Sequence, residues 1–69
     1  RRDPEQARTY LKRALSVKPD NSTMWVNLAI AESALGNRND AANYCRKALA
    51  LDPSNAKAKG LLNQLQGRR

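Results

Sequence analysis

Apolar residues recur along this chain in four runs, each at the spacing of one helix face and each bracketed by caps, proline or glycine. In the first run Ala7, Tyr10, Leu11, Ala14 and Leu15 follow the i, i+3, i+4, i+7 rhythm, while Arg8, Lys12 and Arg13 lie elsewhere around the helix. The helix opens at Asp3-Pro4-Glu5-Gln6: Asp3 caps free amides, Pro4 suits the first helical position, and Gln6 completes a capping box. Pro19 disfavours helical geometry at Lys18 and ends it.

After the turn Pro19-Asp20-Asn21-Ser22, a second helix is expected from about Thr23 to Leu35, with Trp25, Leu28, Ala29 and Leu35 facing inward. Gly36 stops it by supplying the left-handed conformation that helix ends favour. Asn37 then caps a third helix over about residues 38–51, with Asp40 three residues on as the capping-box partner. Its face is Ala41, Tyr44, Cys45, Ala48 and Leu49, and Pro53 closes it. The fourth helix, about residues 56–66, carries Ala58, Leu61, Leu62 and Leu65, is weakened by Gly60, and stops at Gly67. Such short connections make successive helices antiparallel neighbours.

Sliding the sequence against itself by 34 residues aligns Ala7 with Ala41, Tyr10 with Tyr44, Ala14 with Ala48, Leu15 with Leu49, Pro19 with Pro53, Asn21 with Asn55 and Leu28 with Leu62. Charge is kept at Lys12 and Arg46 and at Arg13 and Lys47. Matches confined to one spacing indicate duplicated structural units. Residues 22–55 form one full unit, residues 3–18 the second helix of a partial unit, and residues 56–66 the first helix of another, all within a single module over 1–69. In that last helix Lys59, Asn63 and Gln66 replace Trp25, Ala29 and Glu32, which suits an array end with one face left to water. The alternative is an internal helix of a longer array.

Composition narrows the classes. A chain of 69 residues makes at most one thin-cored domain. Net charge is +7, but Arg1, Arg2, Arg68 and Arg69 account for much of it; without them nine cations face six carboxylates. A solvated basic surface explains that balance without a dedicated polyanion site. No apolar run approaches the ~20 residues of a membrane span, and a soluble, cytoplasmic module is expected. With no histidine and one cysteine, neither a zinc set nor a hydrolytic triad of the usual sort can be assembled. Four of the six carboxylates sit at helix ends or turns, where capping explains them. No cofactor is expected, and Cys45 reads as a packed apolar residue.

The run Trp25, Leu28, Ala29, Gly36, Ala41, Ala48, Pro53 at this spacing resembles the tetratricopeptide repeat, a 34-residue helix-turn-helix unit. Departures are Ala29 where glycine is usual, and Glu32 and Cys45 where aromatics are preferred. The resemblance covers nearly the whole chain, from about Asp3 to Gln66. It implies an all-α fold of antiparallel helix pairs stacked as a right-handed superhelix, four helices in all. Its concave groove, lined by the first helix of each repeat, would bind a peptide or partner protein. On this chain the lining positions are Thr23, Val26, Asn27, Ile30 and Ser33, continuing onto Lys57, Leu61 and Gln64. That makes an apolar centre at Val26 and Ile30 and a basic end at Lys57 and Lys59. One branch of the family clamps acidic chaperone tails; Asn27 and Lys57 match its pattern, but Leu61 replaces an arginine and the first contributing helix is absent.

Non-enzymatic protein recognition is therefore the leading expectation. The first alternative is self-association, in which the lone helix at one end completes the repeat begun at the other end of the next copy, a head-to-tail contact that does not close. Lys59 and Asn63 oppose it, since they would enter the contact unpaired. The second alternative is nucleic-acid binding by Arg8, Lys12, Arg13, Arg46 and Lys47 on the outer face. Tyr10, Tyr44 and Trp25 offer a superficial stacking ladder for it, yet aromatic positions that recur at the repeat register serve packing first.

Overall fold

The computed structural model describes residues 3–67 and contains four helices: α1 (Pro4–Val17), α2 (Ser22–Ala34), α3 (Arg38–Leu51) and α4 (Ala56–Leu65). No strand occurs among the described residues. The four terminal arginines lie outside them. The local chemistry of each boundary is visible. Asp3 accepts a hydrogen bond from the Glu5 amide at 3.0 Å with Pro4 at the start of α1, and Asn21 and Asn55 accept from Met24 and Ala58, each at 3.1 Å. Side-chain oxygens thus satisfy amides that the first helical turn leaves unpaired. Gly36 ends α2 at φ +87°, a conformation that costs any residue with a Cβ.

Asn37 does not cap α3 through its side chain, contrary to the expectation from sequence. Its Nδ2 donates instead to Oε1 of Glu32 at 2.7 Å, and Glu32 is 1% exposed. A buried carboxylate without partners costs several kcal/mol, whereas a side-chain cap is worth about 1 kcal/mol, so the asparagine is drawn inward. Arg8 approaches the same oxygen at 3.5 Å. That distance is long for a hydrogen bond, which leaves Asn37 as the stronger partner.

Packing follows the duplicated pattern. α2 sits between α1 and α3 and also touches α4, whereas α1 and α3 do not meet among the described residues. First helices α2 and α4 therefore form one layer and α1 and α3 the other. Three small clusters make the core: Leu11 and Leu15 with Leu28; Val26 with Ala48 and Ala58; and Ala29 with Ala41 and Cys45. Half of the ten buried apolar residues are alanine, which lets helix backbones approach closely. Ala29 and Ala41 are 0% exposed, so the alanine at position 29 keeps the clearance that glycine would give.

Trp25 ties the two layers at one end. Its ring lies 5.6 Å from that of Tyr44, Lys47 Nζ stands 5.1 Å from the ring centroid, and its Nε1 donates to the Pro19 carbonyl at 2.7 Å. Tyr10, the counterpart of Tyr44, is 67% exposed rather than packed. Trp25 covers Tyr44 from α2, and no aromatic ring among the described residues covers Tyr10 in the same way.

Gly60 lies inside α4 with no atom within 4 Å of where a Cβ would stand. Gly60→Ala is accordingly expected to raise the unfolding free energy by about 0.5–1 kcal/mol. The measurement is a urea titration, read as a higher midpoint at unchanged slope.

Candidate protein-recognition surface

Because α2 and α4 touch while α1 and α3 stand apart, the layer of first helices is the inner side of the stack. The side chains expected there fall into three groups. Thr23, Asn27 and Ile30 on α2 and Lys57 and Gln64 on α4 are exposed, Ile30 at 49%. Ser33 and Leu61 are half-buried, and Leu61 leans on the Ala29, Ala41 and Cys45 cluster.

Val26 is not a lining residue. It is 1% exposed and packs against Ala48 and Ala58, so the apolar centre expected of Val26 and Ile30 reduces to Ile30 alone. The physical reason is the contact between α2 and α4: Ala58 is small enough for α4 to close over Val26.

Asn27 and Ile30 open into a cleft of about 820 Å³ between α1 and α2. Its α2 wall adds Ala31 and Ala34; its α1 wall is Asp3, Pro4, Gln6, Ala7, Tyr10 and Leu11. Thr23, Ser33, Lys57, Leu61 and Gln64 lie outside that cleft. The α1 wall was missed by the sequence reading, which placed Tyr10 in the core. A signal for it existed in the register, since the cover of Tyr44 has no counterpart for Tyr10. The walls are mostly apolar, with Asp3, Gln6 and Asn27 as polar points.

Among the described residues there is no group of three or more metal-ligating side chains. Glu32 is held by Asn37 and Arg8. Cys45 is fully buried, and burial pushes its thiol pKa up, with the Arg46 charge opposing in part. No helix is long and apolar enough to cross a membrane among the described residues.

Antiparallel helix pairs, duplicated at 34 residues and stacked through small side chains, define a helical repeat protein. The tetratricopeptide repeat model matches residues 1–65, and the chain belongs to that family. Members of the family are in general non-catalytic modules for protein–protein interaction. A comparison with curated proteins returned no match.

The thiol offers a direct check on this packing. A neutral, shielded Cys45 is expected to react with an aromatic disulfide reagent far more slowly than a free thiol, and to accelerate through the urea transition. Prompt reaction of the native chain at neutral pH is the contrary result.

Proposed function

We propose that this chain is a non-enzymatic recognition module that holds a peptide or partner-protein segment along the inner layer, with Ile30 as the apolar anchor and Asn27 as the principal hydrogen-bonding group. The observation that carries the reading is the exposure of Ile30, 49%, in the middle of a helix whose other large apolar side chains are covered. Asn27 stands one turn before it and opens into the same cleft. Both an amide donor and an amide acceptor are available at Asn27 for the backbone of an extended segment.

Thr23, Ser33, Lys57, Leu61 and Gln64 complete the proposed strip. None of them is acidic and Lys57 is cationic, which favours segments with a carboxylate toward α4. No observation favours the head-to-tail or nucleic-acid readings. Lys59 and Asn63 are exposed on α4, where a head-to-tail contact would bury them, and Lys47 is engaged over the Trp25 ring.

The test is a peptide library screened against the chain, with amide chemical shifts mapping the bound face. Binders are expected to perturb Asn27, Ile30 and Leu61, and Ile30→Asp is expected to weaken them about tenfold or more, roughly 1.4 kcal/mol. A set of binders indifferent to both Ile30→Asp and Asn27→Ala would overturn the assignment.

A further inference from the structure

The two edges of the stack carry opposite charge. Ser22 at the start of α2 donates to the Ala48 carbonyl in the last turn of α3, and Asn55 at the start of α4 donates to Ser22. The turn over residues 18–21 brings the end of α1 to the same place. One edge therefore gathers the C-terminal halves of α1 and α3 with the N-terminal halves of α2 and α4. Of the nine cations within residues 3–67 only Arg8 and Arg38 lie toward the other edge, and of the six carboxylates only Asp20 and Asp52 lie toward this one. Seven cations thus face two carboxylates along one rim. Among the described residues the ion pair is Arg8 with Glu32, at the other edge.

The rim stays open where helices stand on both sides of it. α3 is flanked by α2 and α4 and still leaves Arg46, Lys47, Ala50 and Leu51 exposed, Leu51 at 45%. Lys12, the counterpart of Arg46, is likewise exposed with α2 packed on its helix. The turns add Pro19 and Pro53, both exposed. Apolar groups projecting among cations suit a protein that lies on an anionic bilayer: the cations meet headgroups, and the apolar groups enter the boundary beneath them. Other polyanions fit less well. Nucleic-acid phosphates would match the cations but give Leu51 nothing apolar to meet, and Trp25, the aromatic ring at this rim, is already engaged by Tyr44 and Lys47. An acidic protein segment gains most from a groove, and the cleft described above opens between α1 and α2, away from this rim.

We propose that this rim docks on an anionic lipid surface, with Lys12, Lys18, Arg46 and Lys47 over the headgroups and Leu51 and Pro53 entering the boundary with the acyl chains. With one leucine as its main apolar anchor, the attachment is reversible and weakens with salt. None of these residues belongs to the peptide strip, so the two readings stand or fall separately.

Co-sedimentation with vesicles tests it, with far-UV circular dichroism confirming that each variant is helical. The chain is expected to bind phosphatidylcholine vesicles containing about one third phosphatidylserine and to leave pure phosphatidylcholine vesicles in solution. Lys12→Gln with Arg46→Gln should lower the partition coefficient about tenfold or more. Asn39→Asp with Gln66→Glu makes the same change of net charge at the opposite edge. A 14-residue helix spans about 21 Å, well beyond the ~8 Å reach of a charge at physiological salt, so this pair should lower it less than about twofold. Leu51→Ser should lower it about fivefold. Equal losses from the two charge pairs, binding indifferent to Leu51→Ser, or a chain held by duplex DNA or polyglutamate but not by the anionic vesicles would each overturn the proposal.

Discussion

α2 is touched by all three other helices, and this constraint governs the structure. A helix packed on one side shows a single apolar stripe; one surrounded on three sides cannot. Leu28 serves the side toward α1, where Ala31 lines the cleft, Ala29 the side toward α3, and Val26 the contact that α4 closes. Glu32 completes the enclosure at 1% exposure and holds Asn37 and Arg8 to one carboxylate. What remains exposed on α2 is the narrow sector of Thr23, Asn27, Ile30 and Ala34.

Alanine-rich contacts bury little area per residue, and polar links at the helix ends supplement them. Asn55 donates from Nδ2 to Ser22 Oγ at 2.7 Å, and Ser22 donates to the Ala48 carbonyl at 3.0 Å. One relay thereby joins the cap of α4, the start of α2 and the last turn of α3. At the opposite end Arg38 donates to the Leu65 carbonyl at 2.9 Å, pairing the start of α3 with the end of α4. Each such bond contributes about 1 kcal/mol net, and each satisfies a carbonyl or hydroxyl near a helix end. They act in a core whose largest fully covered side chains are Leu28, Glu32, Val26 and Cys45.

Helix number, order and boundaries were legible in the sequence because proline, glycine and asparagine mark them by local chemistry. Pro19, Gly36 and Pro53 need no tertiary information to act. Three assignments failed, each where a distant contact overrides a local preference. Val26 was read as a lining residue from its place in the repeat, but α4 closes over it. Asn37 was read as a cap, but a buried carboxylate five residues back attracts its side chain more strongly. Tyr10 was read as core by analogy with Tyr44, but no ring among the described residues lies over it as Trp25 lies over Tyr44.

The absence of contact between α1 and α4 among the described residues has a consequence for how the chain comes apart. In a linear array each helix is held only by its neighbours, so stability is a sum of local and nearest-neighbour terms. Among the described residues α1 leans chiefly on α2, and α4 on α3 with a lesser share of α2. Neither end can report the loss of the other. Among these four helices the slowest amide exchange is expected in the middle of α2 and α3, which are held from the most sides. A ligand bound across α2 and α4 would fasten one edge to the centre and lengthen the cooperative unit by a helix.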